Sequence, residues 1–366
     1  MSADLVCPAC GRTDADRWRC PCGAPLEFAS EPRPDGPAPD FSTFDSRRGL
    51  WAFSAFLPVT RHVTLGEGFT PLVDAPEWDA TFKLEYVSPT GSFKDRGAAT
   101  VVSRAVERGA DRVVEDSSGN AGAAIATYAA RAGLDADIYV PASVADAKRR
   151  AIEAVGARVV EVAGDRETVA AACRNVVEAS EERRSSTNRT ESGGAWYASH
   201  AWNPAFFAGT ATFGIELAAQ RDWSVPDAVV VPLGHGTMLL GAYRGFRALV
   251  ETGWTDRMPR LLAVQAAGYA PIAGHLGPET NDLADGIRVR EPVRREAVVD
   301  AIDATGGDAV AVSSDAVARA HDGLRTGGFD VEPTAAAAVA GLRAYRDRGV
   351  LGGGADVVVP LTGRGK

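Results

Sequence analysis

Lysine is almost missing from this chain. Of the 39 basic side chains in 366 residues, four are lysines (Lys83, Lys94, Lys148 and Lys366) and thirty-five are arginines. Positive charge is written as arginine by default, so a lysine is a candidate for chemistry that needs an amine able to shed its proton, which a guanidinium cannot do. Basic charge is in short supply overall. The 48 acids leave a formal net charge of −9, and the arginines are dispersed among them. Gripping a nucleic-acid backbone takes clustered cations, so that class of partner is excluded. No apolar run approaches the ~18 residues that a membrane-spanning helix needs. The start, MSADLVCPAC, has neither the basic region nor the apolar stretch of an export signal. The expectation is a cytoplasmic protein with no membrane partner.

Cysteine is also scarce. Four of the five stand together as CPAC and CPC (Cys7, Cys10, Cys20, Cys22), nine residues separating the pairs, while Cys173 lies alone in the helical pattern TVAAACRNVV. A lone cysteine in such a pattern reads as a small core residue. In a short segment without a core of its own, the other four suit tetrahedral Zn²⁺ held by four thiolates. The site would be closed and structural, since four cysteines leave no position for water. Two disulfides are the competing reading, disfavoured in a reducing compartment.

After the knuckle, ASEPRPDGPAPDFSTFD (29–45) reads as a linker rich in proline and acid. From residue 80 onward, short β-branched runs such as RVVED, DIYVP, DAVVVPL and DVVVPL alternate with alanine-rich helical segments. That alternation means an α/β protein with mostly parallel sheets covered by helices. ERRSSTNRTESGG (182–194), polar and without a period, reads as a surface loop.

Ligands collect at the carboxyl ends of the strands of such sheets. LGHGT (233–237) follows an apolar strand and opens a helix, a candidate phosphate seat made of glycines and free N–H groups. Leu239 stands where a dinucleotide motif has its third glycine, and no P-loop occurs, so NAD and P-loop nucleotides are excluded. A plain glycine turn is the alternative. SSGN (117–120) also opens a helix; its residues suit either helix capping or a seat for a carboxylate. SPTGSFKDRG (88–97) sets Lys94 between a turn and a helix start. A phosphate seat, a nucleophilic amine and a carboxylate seat on one scaffold suit pyridoxal phosphate (PLP) chemistry on an amino acid.

At this point the chain closely resembles fold-type II (tryptophan synthase beta-like) PLP enzymes, and threonine synthases most of all. The resemblance is carried, in order, by LGEGFTPL (65–72), SPTGSFKDRG, SSGNAGAAIATYAARAGL, the glycine loop, VEPTAAAAVAGL and LTGRGK, and extends to the cysteine knuckle. It implies two open, mostly parallel sheets flanked by helices, with a small N-terminal zinc-ribbon-like knuckle. The implied domains are a knuckle at 1–28, the linker 29–45, a large PLP-binding domain from 46–95 and 205–366, and a small α/β domain at 96–204. Lys94 would carry PLP and act as the base at the substrate α-carbon. Asn120 would bond the pyridine 3-oxygen; Ser117, Ser118 and Gly119 would receive the substrate carboxylate; Gly234, His235, Gly236 and Thr237 would cradle the cofactor phosphate. Thr362 would meet the pyridine nitrogen with a neutral hydroxyl, favouring elimination and replacement over transamination. The implied reaction turns O-phosphohomoserine and water into threonine and phosphate. The partner is then a small amino acid, with assembly as a homo-oligomer left open.

Two departures mark the match. Threonine synthases commonly carry N-P-x-R-x-x-G, whose arginine helps hold the substrate phosphate; here Asn203 to Gly209 place Phe206 there. Ala284 to Ile287 (ADGI) match threonine and serine dehydratases instead, so β-elimination by a dehydratase or a paralogue with another substrate is the alternative reaction. Arg149, Arg288 and Lys148 are the candidate stand-ins for the missing arginine.

Overall fold

The protein is described by a computed structural model covering residues 4–14, 17–187 and 194–365. The N-terminal segment is a small antiparallel sheet of order β2-β1-β3, from β1 (Leu5–Val6), β2 (Thr13–Asp14) and β3 (Glu27–Phe28). Strands this short bury too little to hold themselves. Two knuckle turns order the segment, Gly11 N–H donating to the Cys7 carbonyl at 2.9 Å and Gly23 N–H to the Cys20 carbonyl at 2.8 Å. Trp18 anchors it, its indole edge-on to Tyr197 and Trp202 with ring centroids 5.3 and 5.0 Å away.

The expected linker is a fixed strap. Trp223 donates from its indole to the Pro39 carbonyl at 2.7 Å, Trp254 to the Gly36 carbonyl at 2.9 Å, and Arg33 pairs with Glu251 at 2.8 Å. Prolines break up any ladder the segment could join, and indole donors satisfy carbonyls left over.

An antiparallel hairpin follows, β4 (Leu72–Ala75) with β5 (Ala80–Lys83). Next come α1 (Lys94–Glu107), β6 (Arg112–Glu115), α2 (Asn120–Ala132), β7 (Asp135–Pro141), α3 (Asp146–Glu153), β8 (Arg158–Val162), α4 (Arg166–Thr187) and β9 (Ala195–Tyr197). Their strands make a parallel sheet of order β8-β7-β6-β9. Then α5 (Pro204–Ala219), β10 (Ala228–Pro232), α6 (Thr237–Glu251), β11 (Arg260–Ala266), α7 (Arg295–Ala304), β12 (Asp308–Val312), α8 (Ser314–Thr326), α9 (Pro333–Asp347) and β13 (Val357–Pro360) complete the trace. They build a sheet of order β12-β11-β10-β13-β5-β4, parallel except at the β4/β5 edge. Every residue of β10 and β13 is buried, as central parallel strands covered on both faces require.

By contacts the chain divides into two units. The first holds Met1–Pro32, Arg47–Glu67 and Lys94–Gly209; the second holds Arg33–Ser46, Gly68–Phe93 and Thr210–Lys366. Residues 47–67 thus fall with the first unit rather than with the large domain expected for 46–95. Their apolar side chains explain it: Leu50, Trp51, Leu57, Val59 and Val63 share one core with Ala98, Val101 and Val102 of α1. The surface loop expected at 182–194 is also corrected, because α4 continues to Thr187; Glu182, Arg183 and Arg184 are good helix formers. The rest of that loop, apart from Gly194, lies outside the described residues. Cys173 is buried among Val114, Tyr139, Val169 and Tyr197, a core residue. Among the described residues, no helix is long and apolar enough to cross a membrane.

Candidate functional site

In the first unit, Lys94 is the first residue of α1 and half-buried. Asp95 and Arg96 behind it are fully buried, which pins the helix start. Gly97 is demanded by packing, since a Cβ there would come within 2.1 Å of the Phe206 ring. Phe206 itself is fully buried on α5 and edge-on to His200 with centroids 6.2 Å apart. The place where threonine synthases commonly carry arginine is therefore hydrophobic core here. Two of the stand-ins are engaged elsewhere: Arg149 pairs with Asp146 at 3.2 Å and Arg288 with Asp282 at 3.1 Å. The third, Lys148, lies on α3.

Ser117 to Asn120 run from the carboxyl end of β6 into α2. The N-cap is Gly119, with no side-chain capping bond. Ser117 Oγ instead accepts from the Gly119 N–H at 3.3 Å. The N-cap position itself, a glycine, thus supplies no capping side chain. A Cβ on Gly122 would sit 1.8 Å from the Ser117 carbonyl oxygen, so the loop closes onto α2 only over glycine.

Beside this loop lies a cluster that sequence reasoning missed. Glu115, the last residue of β6, is fully buried, and its Oε1 is 2.6 Å from His200 Nδ1. Burial, with smaller opposing effects from His200 and the Lys94 charge, holds the Glu115 carboxyl up at about 8. Burial raises Asp116 to about 6. His200 is driven down to about 3 by burial, then by the Lys94 charge. The available signal was an acid pair closing a strand directly before SSGN, with a histidine just after WYAS.

In the second unit, LGHGT joins β10 to α6. Gly236 is the N-cap at φ 85, again with no side-chain capping bond. A Cβ there would come within 2.4 Å of Val298 Cγ2, and one on Gly234 within 3.1 Å of the Gly286 carbonyl oxygen. Packing against α7 therefore requires Gly236, ligand or not, while Gly234 fits closely against ADGI. The motifs converge: Gly286 N–H donates to Thr334 Oγ1 at 3.0 Å, Glu332 N–H to the Gly363 carbonyl at 3.0 Å, and Phe93 N–H to the Thr362 carbonyl at 3.0 Å. Thr362, just past β13, is 2% exposed, and its hydroxyl has no hydrogen-bond partner among the described residues. A buried hydroxyl left so is costly unless a ligand completes it. Lys83 is fully buried too, but donates to the Thr70 carbonyl at 2.9 Å, Glu216 at 2.7 Å and Gln220 at 2.8 Å. All three of its protons are committed.

In the knuckle, the Sγ atoms of Cys7, Cys10, Cys20 and Cys22 all lie within 4.8 Å of one another, and no disulfide joins them. Tetrahedral zinc, with Zn–S near 2.3 Å, spaces its sulfurs by about 3.8 Å. The donor set fits that ion.

Comparison with known proteins identifies the family. Residues 63–363 match the family described as Pyridoxal-phosphate dependent enzyme. A threonine synthase of Methanosarcina acetivorans is 35% identical over 86% of this chain and 79% of its own length. One of Methanocaldococcus jannaschii is 31% identical over 98% and 91%. Among solved structures, a fungal L-serine ammonia-lyase from Rhizomucor miehei shares the fold, with TM-score 0.67 and 24% identity over 81% of this chain and 93% of that one. A threonine deaminase of T.th. has TM-score 0.64 and 26% identity over 81% and 92%. A lysine opening α1, glycine-capped helices at the carboxyl ends of both parallel sheets and a family match over most of the length lead to one conclusion: the chain belongs to the pyridoxal-phosphate dependent enzymes.

Proposed function

We propose that this protein is a threonine synthase-like lyase that converts O-phosphohomoserine and water to threonine and phosphate. The observation that carries the reading is the likeness to threonine synthases along nearly the whole chain, knuckle included, with Lys94 at the start of α1. The unpartnered Thr362 hydroxyl fits the pyridine nitrogen of PLP. When bound, PLP withdraws electrons from the substrate α-carbon.

The chain's own residues do the rest. Lys94 holds the cofactor covalently and, once freed by substrate, takes the proton from the α-carbon. The amides of Ser117, Ser118 and Gly119 hold the substrate carboxylate at the start of α2. Asn120 bonds the cofactor's 3-oxygen, and Gly234, His235, Gly236 and Thr237 surround its phosphate. Thr362, being neutral, meets the ring nitrogen without forcing a proton onto it. Phosphate release from O-phosphohomoserine, measured against serine and threonine as rival substrates, tests the reading; efficient 2-oxoacid formation from serine or threonine, with O-phosphohomoserine inert, would replace it. Phe206 favours that second reading, dehydratase-type β-elimination, because such a substrate brings no phosphate for an arginine to hold.

The knuckle holds one structural zinc through Cys7, Cys10, Cys20 and Cys22. Metal analysis of protein made in zinc-replete, reducing medium should find about one zinc per chain. Chelation should free the Trp18 indole, seen as a shift in tryptophan emission and as early proteolysis before residue 29, with bound PLP retained. Metal-free protein with an ordered knuckle would contradict this.

A further inference from the structure

Glu115 and His200 stand at the carboxyl ends of two neighbouring parallel strands. The register sets Val114 beside Tyr197, and Ala198 N–H donates to the Val114 carbonyl at 2.9 Å. The carboxyl lies behind the ring: Glu115 is fully buried, whereas the His200 side chain is 16% exposed. Their contact, at 2.6 Å, uses Nδ1 and Oε1. The other Glu115 oxygen, Oε2, is buried with no hydrogen-bond partner among the described residues. An ionised carboxylate with one bare buried oxygen is expensive, so this carboxyl holds a proton. A histidine oriented through Nδ1 by a buried acid is the arrangement of a positioned acid–base group. Two residues beyond Glu115 begins the loop assigned above to the substrate carboxylate.

We propose that His200 is a second acid–base catalytic group, that Glu115 is its positioning residue, and that the pair protonates the oxygen leaving the γ-carbon as Lys94, having moved the α-proton onto the PLP it would hold, takes a proton from the β-carbon. The inference rests on the reading of Lys94 given above. The balance closes without an outside reactant. As Lys94 removes the β-proton, the Cβ–H electron pair becomes the Cβ–Cγ double bond and the Cγ–O bond breaks; the Nε2–H bond breaks as an O–H bond forms on the departing phosphate, and the Glu115 proton passes to Nδ1. Glu115 is left a carboxylate, matched by the ammonium on Lys94. Proton return from Lys94 to the pair resets both.

The charged groups around the pair are Lys94 on α1, Asp116 on the same strand end, and Arg166 on α4. Tyr197 of β9, with Cys173 and Arg174 of α4, lies in the same cluster. Burial outweighs them, raising Glu115 to about 8 and lowering His200 to about 3. A raised carboxyl pKa means the proton is held below about pH 8 and lost above it. Leaving-group release should therefore fall as pH rises through that value.

The experiment uses holoenzyme with O-phosphohomoserine and follows two rates, exchange of the α-hydrogen with D₂O and release of phosphate. In His200→Gln, release should drop by about 10²-fold or more while exchange stays within about threefold, because only the acid is lost. Glu115→Gln, which keeps the shape but has no proton to pass on, should lose the alkaline fall. Exchange and release dropping together, or release unchanged, would overturn the proposal while leaving the PLP reading intact. A wild-type protein with neither rate would sink the reading of the reaction instead. In that case, or if the variants fail to load PLP, ¹⁵N imidazole spectra of the wild type decide. His200 staying neutral from roughly pH 7.5 to 5 supports the pair, and an ordinary titration near pH 6.5 overturns it.

Discussion

Lys94→Ala protein should purify without the yellow colour of lysine-linked PLP and turn over at least about 10²–10⁴-fold more slowly, the range that a positioned acid or base contributes. The loss should be large because, among the described residues, neither of the other two lysines is poised to take over. Lys83 is buried with its three protons bound to Thr70, Glu216 and Gln220, so its charge is held by a carboxylate and its lone pair is never free. Lys148 sits inside α3, past the helix start. Borohydride treatment of the wild type followed by peptide mapping checks the assignment, with the cofactor expected on the Lys94 peptide. Recovery on Lys83 or Lys148 would refute it.

Phe206→Arg should destabilise the protein rather than restore a phosphate partner. The Phe206 ring is fully buried, and the Gly97 face it covers has no room even for a methyl group. An uncompensated guanidinium at such a place costs about 3–5 kcal/mol, a fall in melting temperature of roughly 10 °C. Calorimetry of the variant checks this. An unchanged melting point together with a lower Michaelis constant for O-phosphohomoserine would mean that position 206 faces the substrate.

Phe206 also shows what a sequence can and cannot carry. Its departure from the arginine motif was legible at once, but its consequence was not, because the partner that makes the position core is Gly97, far away along the chain. Local signals served well elsewhere. Valine runs with intervening alanine-rich helices announced parallel sheets, and β10 and β13 are buried end to end. The spacing of Cys7, Cys10, Cys20 and Cys22 announced a four-sulfur cluster, and the four meet. Long-range pairing escaped. The stretch 29–45 reads as a linker until Trp223 and Trp254 are seen to bind its carbonyls. Residues 47–67 join the first unit through core contacts with α1 that no local pattern encodes. Glu115 and His200, 85 positions apart, become a pair only because β9 lies beside β6. The glycines of LGHGT were read as room for a ligand, yet Val298 already requires Gly236.

The reaction itself is tested most directly by running purified holoenzyme on O-phosphohomoserine in ¹⁸O-labelled water and analysing every product. The account predicts threonine and phosphate in equal amounts, with one labelled oxygen in the threonine hydroxyl and none required in the phosphate. Phosphate released alongside a 2-oxoacid, with no threonine formed, would contradict it.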